Sequence, residues 1–430
     1  MKVLKINGGK RLYGETTVQG AKNSALPCLA ASLLGKRCVI RNCPDLTDTH
    51  ACIKILNSLG IRTEFENNTV TTQGADELFC HRVDDVLMKE LRSSIVFLGA
   101  ILSKCKKAEI SFPGGCCIGA RPIDMHLDAF RQMGVEIEEF DGKIFCFAPN
   151  LKSCKIRLPF PSVGATENIM LLGAVSDCEF EIENAAKEPE ILDLRNFINS
   201  MGGNITTDDD GNIFIKGVAC LNGTDYKIMP DRIAALTYLC AVAACGGYGR
   251  LNSVRPEHIT VPLEVLERAG SVIETGDDFI EIKSPQRPKL MGLVSTRPYP
   301  LFPTDAQAIF MAVASRGRGE SCFIENIFEN RFRHIDELKK MGVKACARGN
   351  LAYIKGKRRI KSADLTAMDL RGGAALTIAA LAARGESTVC GVEYIDRGYE
   401  NIERSFGDFG AQIVRQDIEW TENIPIDKSN

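Results

Sequence analysis

Met133-Gly134-Val135-Glu136-Ile137-Glu138-Glu139-Phe140-Asp141-Gly142-Lys143-Ile144-Phe145-Cys146-Phe147 is the stretch on which the fold turns. Gly134 closes an amphipathic helix, since the residue after a helix often takes a left-handed conformation that only glycine adopts without Cβ strain. The run that follows alternates in polarity and is interrupted by Asp141-Gly142, the mark of a tight hairpin. The same order recurs along the chain. Leu59-Gly60, Met201-Gly202, Ala269-Gly270, Met341-Gly342 and Phe409-Gly410 repeat Met133-Gly134, with successive glycines 74, 68, 68, 72 and 68 residues apart. Asn204 to Ile215 repeats the interrupted alternation.

A second class of helix precedes these at the same period: Ala21 to Leu34, Arg92 to Ser103, Gly164 to Val175, Asp231 to Ala244, Asp305 to Ser315 and Asp369 to Ala383. They are apolar on nearly every face, so they must be buried on every face. Short strands follow, such as Ala108 to Phe112 and Ser321 to Glu325. Each unit therefore reads as buried helix, strand, amphipathic helix and hairpin, a helix-and-strand (α/β, α+β) repeat. The chain has 430 residues, and single cores rarely grow beyond about 250–300 residues, which favours two lobes of three units with a cleft between them.

Composition narrows the function. Apolar residues make up 45% and charged residues 25%, as in an ordinary globular protein rather than a disordered or fibrous one. The 53 basic and 55 acidic residues nearly cancel, so no global field draws the chain to nucleic acid or an anionic membrane. The N-terminus lacks a secretion-signal pattern and no apolar run suits a spanning helix, which predicts a cytoplasmic protein without membrane insertion. Seventeen cysteines without a Cys-x-x-Cys pattern read as reduced thiols, with structural metal disfavoured.

The starts of the buried helices carry cations where the helix dipole prefers acids: Lys22, Arg92, Arg232 and Arg371. One such cation is an ordinary solvated charge; four at repeated positions point to an anion site. Ser162-Val163-Gly164-Ala165-Thr166 reads either as a helix cap or as a phosphate approach. Pro113 to Pro122 packs three glycines, two prolines, Cys116, Cys117 and Arg121 into one loop, either a plain turn or a tuned thiol. Asp305 could cap a helix or act as a base, and Arg331 and Arg397 add bidentate anion partners. These residues describe a two-lobed enzyme with an anionic substrate, but they do not name the reaction.

At these motifs, from Lys5 to about Val414, the sequence resembles the UDP-N-acetylglucosamine 1-carboxyvinyltransferase family of enolpyruvyl transferases. The resemblance rests on Gly20-Ala21-Lys22-Asn23, the Pro-Gly-Gly-Cys loop with Gly119-Ala120-Arg121-Pro122, Ser162 to Thr166, Phe302-Pro303-Thr304-Asp305, Phe328 to Phe332, Asp369-Leu370-Arg371 and Asp396 to Glu400. It implies an inverted α/β prism, with residues 1–21 plus 230–430 as one lobe and 22–229 as the other. It also implies transfer of the enolpyruvyl group of phosphoenolpyruvate to the 3-hydroxyl of UDP-N-acetylglucosamine with release of phosphate, and no metal or organic cofactor.

The resemblance assigns catalytic roles to Cys116, Asp305, Lys22 and Arg397. It assigns phosphoenolpyruvate contacts to Lys22, Asn23, Arg121, Arg331, Arg371 and Arg397. For the UDP-sugar it implies Arg92, Arg121, Pro122, Asp124, Met125, Ser162, Val163, Gly164, Asp305 and Ile327. A place in peptidoglycan synthesis, cell shape and division, and fosfomycin as inhibitor, come with it. Cys117 departs from the Thr or Ala more usual in the family, and Phe160 from the Lys of some members. A shikimate-pathway enolpyruvyl transferase and a non-catalytic UDP-sugar-binding paralogue are the alternatives.

Overall fold

The structure, a computed structural model, describes residues 1–74, 80–90, 92–111 and 123–418. Its six units carry, in chain order, a buried and an amphipathic helix each. These are α1 (Lys22–Ser32) and α2 (Thr47–Ser58), α3 (Phe97–Cys105) and α4 (Asp124–Gln132), then α5 (Val163–Ala174) and α6 (Pro189–Ser200). They continue as α7 (Arg232–Cys245) and α8 (Thr260–Arg268), α9 (Gln307–Arg316) and α10 (His334–Lys340), and finally α11 (Leu370–Ala382) and α12 (Ile402–Gly407). All six predicted helix-ending glycines sit at positive φ, between 77° and 97°. Asp141 and Gly142 both take positive φ, 50° and 70°, and close the two-residue turn between strands Glu136–Phe140 and Lys143–Phe147.

Apolar helices are buried as their composition demands: every residue of α7 is buried. Helices α7, α9 and α11 pack on one another pairwise, and α3 packs against α5 and α1. Two separate apolar cores result. One gathers residues between Ala21 and Met229; the other joins Leu4–Val18 to Ile233–Ile413.

Each unit contributes one small sheet, and three details differ from the sequence reading. First, the sixth hairpin is incomplete in its own unit. The N-terminal strand Lys2–Gly8 fills the gap, pairing antiparallel with both Gly385–Cys390 and Gln412–Asp417. Second, the lobes exchange a strand at their junction. Leu12–Thr17 precedes α1 yet pairs parallel with Gly247–Asn252, whereas Thr224–Lys227 precedes α7 yet pairs parallel with Arg37–Arg41.

Third, the predicted helix from Arg92 to Ser103 is split into a 3₁₀ turn, Arg92–Val96, and α3. The side-chain amide of Asn168 causes the break. Its Nδ2 donates to the Ile95 carbonyl at 3.0 Å and its Oδ1 accepts from the Gly99 N–H at 2.7 Å, replacing the bond those two groups would make in a continuous helix. A Cβ at Gly99 would meet the Asn168 carbonyl at 2.4 Å, so this approach requires glycine. The helix predicted to begin at Asp305 likewise opens as a 3₁₀ turn, Thr304–Ala306, before α9. No helix among the described residues is long and apolar enough to cross a membrane.

Candidate functional site

Two aspartates are each held between two cations: Asp48 joins the two lobes, and Asp305 pairs within the second. Asp48, in the first turn of α2, is buried; Lys22 Nζ lies 2.5 Å from its Oδ2 and Arg397 Nε 2.9 Å from its Oδ1. Lys22 opens α1, while Arg397 belongs to the far end of the chain, so one carboxylate ties together residues 22 and 397. Burial alone would raise the Asp48 carboxyl, but Lys22 and Arg397 outweigh it and hold its pKa below the usual range. Burial is also the largest influence on the Lys22 ammonium and pulls its pKa down. Asp48 resists, and Arg397 and Arg371 add to the fall.

Asp305 is the second centre. Arg331 Nη2 donates to its Oδ1 at 2.6 Å and Arg371 Nη2 to its Oδ2 at 2.9 Å. Burial pushes its carboxyl up, yet Arg371 and Arg331 together hold it far below the ordinary carboxylate range. The aspartate is therefore ionised, and both of its oxygens are occupied by guanidinium groups. Arg331 also lies 4.9 Å from the Phe328 ring centroid.

Glu325 fixes the neighbourhood of this pair. Its buried carboxylate accepts from Thr296 Oγ1, Thr304 Oγ1 and Ile327 N, each at 2.9 Å, and from Phe328 N at 3.2 Å. It thus sets both the Thr304–Ala306 turn that presents Asp305 and the backbone at Ile327.

On the other side, Ser162 caps α5, with its Oγ accepting from Ala165 N at 3.4 Å, and Val163 and Gly164 form the first turn. Asp124 and Met125 open α4, followed by the buried His126. The His126 ring crosses close to Gly164, where a Cβ would lie 3.0 Å from Cε1. Its Nδ1 faces Asn168 Nδ2 at 2.8 Å, and burial pushes its pKa down to about 4. Asn23 is the second residue of α1 and Phe160 is exposed before the Ser162 cap. Cys116, Cys117, Arg121, Pro122 and the side chain of Arg92 lie outside the described residues.

Of the cations predicted at helix starts, the three with described side chains all have carboxylate partners. Arg232 pairs with Glu190 at 2.8 Å, in addition to Lys22 with Asp48 and Arg371 with Asp305. Each of these cations is matched by a carboxylate from elsewhere in the chain, while α7 and α11 keep acidic caps of their own in Asp231 and Asp369.

Comparison with known proteins agrees along nearly the whole length. The family model described as EPSP synthase (3-phosphoshikimate 1-carboxyvinyltransferase) matches residues 6–406. UDP-N-acetylglucosamine 1-carboxyvinyltransferase 2 of Caldanaerobacter subterraneus subsp. tengcongensis is 47% identical, over 96% of this chain and 99% of that protein. The chain belongs to the UDP-N-acetylglucosamine 1-carboxyvinyltransferase family. The Thermotoga maritima member is 42% identical, over 95% of this chain and 98% of its own. The fold is that of the enolpyruvyl transferases. NikO from Streptomyces tendae superposes with a TM-score of 0.83 at 23% identity, covering 96% of this chain and 98% of that one. EPSP synthase from Acinetobacter baumannii gives 0.73 at 18% identity, covering 97% and 100%.

Asp48, Glu325, His126 and Asn168 escaped the sequence reading. An acid in the first turn of an amphipathic helix, as Asp48 is, looks like ordinary helix chemistry. Nothing local to Glu325 or Asn168 reveals partners in distant segments.

Proposed function

We propose that the protein transfers the enolpyruvyl group of phosphoenolpyruvate to the 3-hydroxyl of UDP-N-acetylglucosamine and releases phosphate. The observation that carries this reading, in a member of this family, is the pair of shared aspartates: four cations, Lys22, Arg397, Arg331 and Arg371, converge on Asp48 and Asp305. They match a substrate carrying two anionic groups. On this reading Lys22 and Arg397 receive the phosphate, with Arg121 and Asn23 beside them, and Arg331 and Arg371 receive the carboxylate. Arg92, Arg121, Pro122, Asp124, Met125, Ser162, Val163, Gly164 and Ile327 hold the UDP-sugar.

The resting state of Asp305 bears on its role as base. It is ionised, as a base must be, but two guanidinium groups suppress its basicity. A substrate carboxylate that engages Arg331 and Arg371 draws them from Asp305, which then accepts the proton of the sugar 3-hydroxyl. The hydroxyl oxygen bonds to C2 of phosphoenolpyruvate, and the Cys116 thiol gives its proton to C3. The tetrahedral intermediate keeps both anionic groups between fixed cations. Loss of a proton from C3 and departure of phosphate from C2 restore the double bond.

The lobes on this reading are 1–21 plus 230–430, bearing Asp305 and the arginines, and 22–229, bearing the thiol loop. The activity belongs to peptidoglycan precursor synthesis in the cytoplasm, and fosfomycin would act at Cys116. Purified protein with both substrates should release phosphate, and with either one alone should release none. Phosphate release from phosphoenolpyruvate and shikimate 3-phosphate instead would move the reading to the shikimate-pathway reaction. Tight UDP-sugar binding without turnover would leave a binding protein.

A further inference from the structure

Helix α1 begins without a cap of its own. The residue at its N-cap is Ala21, and its first turn holds no acidic side chain. Pro27 weakens the same turn, because it has no N–H to donate to the Asn23 carbonyl four residues back. The turn that presents Lys22 and Asn23 is therefore poorly supported from within.

Its support comes from 209 residues away. The Lys22 N–H donates to Asp231 Oδ2 at 3.2 Å, while Asp231 Oδ1 accepts from Ile233 N at 2.8 Å and Ala234 N at 2.9 Å, capping α7. One buried carboxylate, 5% exposed, thus caps a core helix in each of the two apolar cores. It stands where the chain crosses between them. There the Ala21 N–H donates to the Met229 carbonyl at 2.8 Å, and the Asp231 N–H donates to the Gln19 carbonyl at 2.9 Å. Gly20 pairs with Pro230 between them, and a Cβ at Gly20 would lie 1.7 Å from the Asn42 carbonyl oxygen. Burial pushes the Asp231 carboxyl above its usual range, and the Arg371 guanidinium and the N–H donors of Ala234 and Lys22 work against that rise.

We propose that Asp231 is a positioning residue for the transfer reaction: a cap shared by α1 and α7 that holds Lys22 and Asn23 in register with the arginines of the opposite core. This rests on the phosphoenolpyruvate reading of Lys22 given above. Capping and crossing are then one device, since the residue that starts α7 also sets the orientation of the first turn of α1.

Asp231→Ser separates the two halves of the role. Serine caps a helix about as well as aspartate, so α7 keeps its cap, but its short side chain cannot also reach the Lys22 N–H. The expected result is a kcat/KM for phosphoenolpyruvate roughly tenfold lower, as for a lost buried hydrogen bond, with the UDP-sugar Kd unchanged. Hydrogen exchange at the first-turn amides of α1 should accelerate while those of α7 stay protected. Asp231→Asn, which keeps one accepting oxygen for α7 and turns an amide N–H toward Lys22, should give the same split. Equal losses for both substrates, or an unchanged kcat/KM for phosphoenolpyruvate alongside faster exchange in α1, would overturn the proposal. Wild-type protein without two-substrate phosphate release would instead count against the functional reading itself.

Discussion

Replacing His126 by Gln should flatten the acid limb of the stability profile, and the structure supplies the magnitude. The Asn168 amide is oriented by the Gly99 N–H and the Ile95 carbonyl, so it must turn its N–H toward His126 Nδ1. The imidazole is therefore held neutral, with its proton on Nε2. Protonating Nδ1 would set two N–H groups against each other inside a buried site. Burial holds the folded pKa at about 4 against an ordinary 6.5. Below pH 6.5 the unfolded chain binds a proton that the folded chain refuses. The contribution is thus full above the unfolded pKa and is lost as the pH falls toward the folded one. Between about pH 7.5 and 4.5 the loss comes to about 2.5 kcal/mol at 1.36 kcal/mol per unit. His334 is pushed to about 4 as well, so only the difference between wild type and His126→Gln isolates this ring. Urea unfolding followed by circular dichroism across that range measures it. Wild type should lose about 2.5 kcal/mol more than the variant; parallel profiles would refute the neutral-ring argument.

Other substitutions probe the remaining links. Asp48→Asn removes the charge that raises the Lys22 pKa, so the basic limb of kcat/KM for phosphoenolpyruvate should move to lower pH. Lys22→Arg in the same background should abolish that movement, and an unmoved limb in Asp48→Asn would separate Lys22 from phosphate binding. Gly202→Ala tests the repeat: φ is 97° and the nearest atom to a new Cβ, Asn222 Nδ2, is 3.6 Å away, so backbone strain alone should cost about 1–2 kcal/mol in thermal unfolding. Cys116→Ala should nearly abolish turnover and Cys117→Ala should spare it; equal losses in phosphate release would reassign the thiol.

What could be read in the sequence was what short segments decide. Gly60, Gly134 and their four counterparts stop helices through their own backbone freedom, and Asp141-Gly142 forms its turn unaided. The all-apolar helices announced their burial. Pairings that join distant segments were not legible: the N-terminal strand that completes the sixth sheet, the exchanged strands at the crossing, and the insertion of Asn168 into the Ile95–Gly99 helical ladder. The candidate site divides in the same way. Lys22, Arg371 and Arg397 stood out as misplaced or clustered charges. Asp48 and Glu325 look ordinary where they stand and acquire meaning only through partners brought in by the fold.

Mass analysis of the sugar product, alongside phosphate release, tests the central claim most directly. With both substrates present, UDP-N-acetylglucosamine should gain one enolpyruvyl group for each phosphate released. Phosphate without that gain, or an unmodified sugar nucleotide after long incubation with active, folded protein, would contradict the account.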